Sequence, residues 1–220
     1  MQVVPLPNIG NSCYFNSALQ TLIYNETLYD ILHQFNEKDN IIRHFCRLQR
    51  VCIHCELVDK QTFHSIIKQL YLAVIDKFPF TAGHQEDSAE FLTYLLDHFY
   101  ETTKRPVRMN LLNRNHFSSN EIRCFDAWKD KYEKQYSNIL RNFYGQYISS
   151  LICTKCRHKS DTYESFSVLT LPVTEDCKNV SDCLRSFNQI ETIDGITCDK
   201  CKTKETFTKQ MSLCIMPTYV

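Results

Sequence analysis

Two kinds of cysteine in this 220-residue sequence have neighbours that suit chemistry. Cys13 closes the string Asn8-Ile9-Gly10-Asn11-Ser12-Cys13. It opens a run whose apolar positions, Phe15, Ala18, Leu19, Leu22 and Ile23, fall at i, i+3, i+4, i+7 and i+8, which predicts a helix from Tyr14 to about Asn25. A thiol attacks as its thiolate, and its ordinary pKa of about 8.5 falls where unpaired N–H groups and the helix dipole favour negative charge. Gly10 lets the backbone turn tightly, Asn11 or Ser12 is placed to cap the helix, and the Asn8 amide is placed to donate to an oxyanion beside the sulfur. These are the parts of acyl-transfer catalysis on one short loop. Taken alone, such a cysteine is more often a small buried apolar residue than a nucleophile.

The second kind comes in pairs, Cys153-Thr154-Lys155-Cys156 and Cys198-Asp199-Lys200-Cys201, set 45 residues apart among polar turn residues. Four thiolates close a tetrahedral zinc site with Zn–S bonds of about 2.3 Å and leave no open position, so the metal would be structural. A third pair, Cys52 and Cys55, lies on a helical pattern as small apolar residues and is read as core. Cys46, Cys124, Cys177, Cys183 and Cys214 have no partner of suitable spacing and receive no role. A disulfide scaffold is a poor account of the 12 cysteines, because such scaffolds are short and secreted. The first residues lack a basic stretch followed by an apolar run, and nowhere do about 18 apolar residues follow one another. The expectation is an intracellular protein, cytoplasmic or nuclear. Lys plus Arg (25) equals Asp plus Glu (25), so no net field favours nucleic acid or a membrane, and neither is expected as a partner.

The elements that must position these cysteines differ between the two halves. Helical spacing recurs from Ile41 to Cys55 through Phe45, Leu48 and Cys52, and again through Phe63, Ile66, Ile67, Leu70, Tyr71 and Val74. It returns from Glu86 to Tyr100 through Ala89, Leu92, Leu95, Leu96 and Phe99, with Gly83 marking the turn before it. Residues 1–100 are therefore read as one helical lobe. Residues 101–142 are polar and rich in Asn, Lys and Arg, which predicts a long connection with room for one short helix around the single Trp128. Beyond Phe143 come β-branched and aromatic runs, Tyr147–Ile152 and Ser165–Leu171, with a short helix from Ser181 to Phe187 capped by Ser181. Residues 143–220 are mainly strand, and the fold class is α+β.

The string from Asn8 to Gln20, NIGNSCYFNSALQ, resembles nearly position by position the cysteine box of ubiquitin-specific proteases. Ser12 stands where many members have Thr. Gln85-Glu86-Asp87-Ser88-Ala89-Glu90-Phe91-Leu92 resembles the family's Gln-Gln-Asp segment with its following Glu-Phe-Leu, Glu86 replacing the second Gln, and Leu169–Val173 resembles the segment after the first cysteine pair. The resemblance implies a papain-like cysteine peptidase: a helical thumb lobe, then β-rich zinc-ribbon fingers, with the palm incomplete, all parts of one truncated domain. It implies hydrolysis of the isopeptide or peptide bond after the C-terminal glycine of ubiquitin, with ubiquitin or a ubiquitinated protein as partner. It assigns Asp87 to the extended ubiquitin tail, places Gln85 beside the catalytic cleft, and gives zinc to Cys153, Cys156, Cys198 and Cys201 at the tips of the fingers.

The family also needs a histidine to hold the thiol proton and an Asp or Asn to orient it, both from its C-terminal part. None of the eight histidines here sits in a glycine-flanked, aromatic-rich setting, and His64 and His84 read as surface or helix-end residues. Pro217–Val220 resembles the start of the strand leading to that box. The expectation is a fragment covering two-thirds of a catalytic domain, with an unpartnered sheet edge. It should be inactive or nearly so, since a positioned base is worth about 100- to 10,000-fold in rate. The alternative is a module that binds ubiquitin without turnover. A zinc-binding interaction protein unrelated to ubiquitin would require both strings to be accidents.

Overall fold

Apolar residues at helical spacing build the N-terminal half of the chain. The computed structural model describes residues 3–54 and 56–219. They divide into two compact units, one made of Met1–Lys104 with Ser137–Ile139 and the other of Arg105–Tyr136 with Leu140–Val220.

The first unit holds helices α1 (Cys13–Leu22), α2 (Glu26–His33), α3 (Asn40–Ile53), α4 (Lys60–Lys77) and α5 (Ser88–Thr103). Four of them start on a side chain that accepts a hydrogen bond from the first turn, which satisfies donors the helix leaves unpaired. These caps are Asn25 for α2, Asp39 for α3, Asp59 for α4 and Asp87 for α5. Ser12 holds the cap position of α1 but makes no such bond. The core is aromatic: Phe15, Phe45, Phe91 and Phe99 are fully buried, Phe15 meets Tyr71 edge-on at 5.4 Å, and Phe45 lies 5.0 Å from Phe99. Each buried ring contributes on the order of 2–3 kcal/mol.

Two buried polar groups brace the helices. The Gln49 amide nitrogen donates to the carbonyls of Leu22 (3.4 Å), Ile23 (3.3 Å) and Asn25 (3.2 Å), closing the C-terminal end of α1. His98 Nε2 of α5 lies 2.9 Å from Asp39 at the start of α3, and Lys77 of α4 is 3.7 Å from the same carboxylate. Burial pushes Asp39 upward, but the His98 hydrogen bond, the Ile42 N–H and the nearby Lys77 ammonium outweigh it and hold the carboxyl below its usual range.

The second unit is a four-stranded antiparallel sheet of order β2-β1-β4-β3, with β1 (Gly145–Cys153), β2 (Lys159–Phe166), β3 (Glu191–Thr197) and β4 (Lys204–Ile215). Ile148 pairs with Tyr163 on one side and Ser212 on the other. Helix α6 (Ser119–Tyr132) packs on β1 and β4, and α7 (Asn138–Phe143) and α8 (Val180–Phe187) complete the elements beside a short 3-10 turn at Arg114–His116. The α+β expectation holds.

Three local expectations are corrected. Residues 101–142 carry a 14-residue helix, α6, whose Ser118 and Glu121 form a reciprocal capping box and whose Cys124, Trp128 and Tyr132 are buried. One apolar residue per turn buries this narrow face. The run Ser165–Leu171 leaves the sheet after Phe166, and the strand instead begins at Lys159. Helix α8 is capped by Asn179 rather than Ser181. Helix α2 is an addition to the expected elements, because its eight residues bury only Leu28, Ile31 and Leu32. Cys52 is buried as read, whereas Cys55 lies outside the described residues.

Candidate active site and metal centre

The backbone before Cys13 is shaped by two left-handed residues, Gly10 (φ 98°) and Asn11 (φ 47°). Glycine takes that conformation without steric cost and asparagine tolerates it better than most residues do. Within the loop, Asn8 Oδ1 accepts from the Gly10 N–H at 2.9 Å and the Ser12 hydroxyl at 3.2 Å, and Ser12 Oγ accepts from the Ile9 N–H at 3.0 Å. Ser12 is therefore spent on the loop rather than on the helix. The Asn8 oxygen is engaged in these bonds, and its Nδ2 has no partner among the described residues. Cys13 is the first residue of α1 and its side chain is exposed.

A second loop, residues 81–87, is stitched to the first. Asn11 Nδ2 donates to the Gly83 carbonyl at 2.8 Å, and Gly83, with φ 76°, donates its own N–H to Tyr71 Oη at 3.0 Å. The next bond brings Gln85 Nε2 to 3.9 Å from Cys13 Sγ, and Ser88 Oγ donates to the Tyr14 carbonyl at 3.1 Å. Asp87 Oδ1 takes the N–H groups of both Ala89 and Glu90 at 2.8 Å. Its carboxylate is exposed, like Gln85, Cys13 and Asn8. The structure thus joins the two strings that are 72 residues apart, Gln85 reaching the sulfur directly and Asp87 lying two residues beyond.

Sequence reasoning missed the residues that hold this loop to the helix. Asn16 Nδ2 donates to the Pro7 carbonyl at 3.1 Å, Gln20 Nε2 to Val4 at 2.9 Å, and the Val4 N–H donates to Tyr24 Oη at 2.6 Å. Asn16, Gln20 and Tyr24 recur every four residues, a polar row on a helix otherwise read only for its apolar face. The buried Tyr14 phenol is pushed up to about 12, first by burial and then by the neighbouring Tyr71 hydroxyl, with Glu86 and Cys13 adding to it. Among the described residues no hydrogen bond or ion pair joins a histidine to Cys13. His64 and His84 are exposed, in keeping with their reading as surface residues.

The four paired cysteines converge in the second unit. The sulfurs of Cys153, Cys156, Cys198 and Cys201 all lie within 4.8 Å of one another, with Cys153 and Cys201 at 4.0 Å and Cys156 and Cys198 at 3.6 Å. Tetrahedral ligation at about 2.3 Å requires sulfurs about 3.8 Å apart, so the donor set and its spacing fit a zinc ion. The two turns are copies of one another. Cys153 donates its N–H to the His158 carbonyl and accepts from Arg157, as Cys198 does with Thr203 and Lys202. Arg157 (φ 59°) and Lys202 (φ 61°) are left-handed directly after each pair. The Cys201 N–H donates to Cys198 Sγ at 3.4 Å and draws that thiol down to about 7, whereas hydrogen bonding with Cys156 and then burial push Cys201 up to about 12, so the four thiols share their protons unevenly. Phe207 and the half-buried Leu151 and Ile196 shield the cluster from water.

The chain shares the fold of solved deubiquitinase modules: the SAGA Ubp8/Sgf11/Sus1/Sgf73 DUB module bound to ubiquitin aldehyde superposes with a TM-score of 0.68 over 98% of this chain and 45% of that one, at 19% identity. The same module with a substituted Ubp8, bound to monoubiquitin, gives a TM-score of 0.68 over 98% of this chain and 46% of that one, at 18% identity. The model of the ubiquitin carboxyl-terminal hydrolase family matches residues 4–219, and the chain belongs to that family. Ubiquitin carboxyl-terminal hydrolase 4 of Saccharomyces cerevisiae (strain YJM789) is 28% identical over 97% of this chain and 26% of its own length. Ubiquitin carboxyl-terminal hydrolase 2 of Bos taurus is 27% identical over 94% of this chain and 37% of its own. The chain therefore spans about a quarter to a third of the length of these curated relatives. Among the described residues no helix is long and apolar enough to cross a membrane.

Proposed function

We propose that this chain supplies the nucleophile and the ubiquitin-tail contacts of a thiol-dependent deubiquitinase. The observation that carries the reading is the 3.9 Å approach of the Gln85 amide to Cys13 Sγ, which places the second string of the family resemblance at the sulfur named by the first. In this mechanism Cys13 attacks the carbonyl carbon of the C-terminal glycine of ubiquitin, the bond to the substrate amine breaks, and a thioester forms. Asn8 Nδ2, left free while its oxygen is engaged by the loop, donates to the oxyanion. Gln85 and Asp87 hold the extended tail. Cys153, Cys156, Cys198 and Cys201 would hold a zinc ion, which would supply no reaction chemistry and would brace the tips of the fingers that grip ubiquitin. The partner is ubiquitin on a conjugated protein inside the cell, not nucleic acid or a membrane, in keeping with equal numbers of acidic and basic residues.

Taking the Cys13 proton and returning it to the leaving amine needs a general base that then serves as general acid, a role no described histidine fills at Cys13. These 220 residues by themselves should therefore hold ubiquitin and react once far better than they turn over, which is the observation favouring a binding module as the second reading. Ubiquitin bearing a C-terminal electrophile tests the site without needing the base. An adduct on Cys13, lost in Cys13→Ala, is the expected result. Ubiquitin binding without an adduct leaves only the second reading, and absence of both refutes the proposal. Rapid cleavage of a fluorogenic ubiquitin substrate by the same 220 residues would show that a base had been overlooked.

A further inference from the structure

Cys177 lies in the irregular stretch between β2 and α8, outside both sites described above, and its sulfur has an unusual set of neighbours. Thr174 Oγ1 is 3.3 Å away, Ser186 Oγ 3.7 Å and the Pro172 carbonyl 3.9 Å. The Cys177 N–H also closes a turn onto the Thr174 carbonyl at 3.0 Å. Ser186 is three residues after Cys183 on α8, so the two share a helix face, and the Cys177 sulfur rests against that face. Cys183 is buried there, whereas Cys177 is half-buried and open to a small reagent.

We propose that Cys177 and Cys183 are a peroxide-reactive dithiol: hydrogen peroxide oxidises Cys177 to a sulfenic acid, and Cys183 resolves it to a disulfide. In the first step the Cys177 thiolate attacks one peroxide oxygen. The O–O bond breaks, hydroxide leaves, and sulfur loses two electrons to the peroxide. In the second, the Cys183 sulfur attacks Cys177 Sγ. The S–O bond breaks, and the departing hydroxide takes the Cys183 proton to leave as water.

The ionisation of the thiols fits these roles. The Thr174 hydroxyl, then the Thr174 backbone and the Ser186 hydroxyl, draw Cys177 down to about 7, while burial and Cys177 itself push Cys183 up. Burial instead lifts Cys46 and Cys214 to about 12, which removes them as competitors for peroxide. At pH 7 a thiol of pKa about 7 is about half ionised and one of about 8.5 about 3%. Lower intrinsic nucleophilicity removes about fivefold of that gain, leaving Cys177 about threefold faster than an unfolded cysteine.

Peptide mapping tests this without any dependence on ubiquitin. Trypsin cuts after Lys178, so the disulfide joins peptide Ser160–Lys178 to peptide Asn179–Arg185 in an unreduced digest. The zinc-loaded chain, treated with graded hydrogen peroxide, is expected to yield this linked pair before any other. Cys183→Ser should replace the link with a dimedone adduct on Cys177, and Cys177→Ser should leave Cys183 reduced. Iodoacetamide at pH 7 should modify Cys177 about threefold faster in the folded chain than in urea, a readout on the unsubstituted protein. The proposal fails if Cys177 stays reduced while other thiols oxidise. It fails equally if wild-type Cys177 accumulates as sulfenic acid without the link.

Discussion

Asp87 is asked to do two things, and substitution can separate them. Its Oδ1 caps α5 by accepting from Ala89 and Glu90 at 2.8 Å each, and its exposed carboxylate is proposed to hold the ubiquitin tail. Losing an N-cap acceptor costs about 1 kcal/mol. At about 2.1 cal/mol/K per residue, the unfolding entropy of a chain this long is near about 0.46 kcal/mol/K, so the cost lowers Tm by about 2 °C. A hydrogen bond to a charged group is worth about 1.5–3 kcal/mol, or roughly 10- to 150-fold in affinity. Asp87→Asn keeps the cap, because Asn is as good an acceptor there as Asp, but removes the charge. It should weaken ubiquitin binding by at least about tenfold while Tm stays within about 1 °C of wild type. Asp87→Ala should show the same weakening and the lower Tm. Ubiquitin affinity by fluorescence anisotropy and thermal melts of the three proteins decide the matter. Wild-type affinity in Asp87→Asn would refute the tail role, and an unchanged Tm in Asp87→Ala would refute the capping argument.

The four-sulfur cluster should carry one zinc per chain by elemental analysis, and Cys198→Ser should fall below a tenth of that. Gln49→Ala removes the amide that bridges the Leu22, Ile23 and Asn25 carbonyls, of which Leu22 and Asn25 keep a backbone donor, and leaves a small cavity, so a loss of about 2 kcal/mol and a Tm lower by about 4 °C are expected in a thermal melt. The carboxyl of Asp39 is held below its unfolded value of 3.8, so its contribution is complete above that pH and disappears as the pH falls through the lower folded value. Urea midpoints followed from about pH 6 to about pH 2.5 should therefore decline more steeply below about pH 4 in wild type than in Asp39→Asn. Parallel curves would show that His98 and Lys77 do not stabilise the charged form.

What the sequence disclosed follows from what each residue must do. A helix that buries Phe15, Leu19 and Leu22 on one side announces itself by period, and metal ligation needs sulfur in close pairs, so α1 and the four cysteines at 153, 156, 198 and 201 were legible. Helix α6 was signalled by Ser118 three residues before Glu121, yet its polar composition outweighed that cue. Strands β1 and β4, which pair Cys153 with Phe207 and Gln146 with Ile215, meet over long separations, and a pairing register leaves little trace in one strand's own residues. The approach of Gln85 to Cys13 was not legible from local pattern, because it depends on Asn11 and Ser88 bonding across 72 and 74 residues. Family likeness supplied what periodicity could not. Ser12 shows the limit of a local rule: a serine at a cap position is free to bind whichever amide lies nearer, and the tight Asn8–Ser12 loop offers the closer one.

The segment Ser137–Ile139 belongs to the first unit although its neighbours on both sides belong to the second. Thr103 and Ser137, both buried, share a hydrogen bond between their hydroxyls. The polypeptide is therefore laced, passing out at residue 104, back at 137 and out again at 140. No single proteolytic cut can release either half intact, and an expression fragment ending at Lys104 would lack a stitch of its own interior. Limited digestion after Lys104 should yield a nicked species that stays together until denatured.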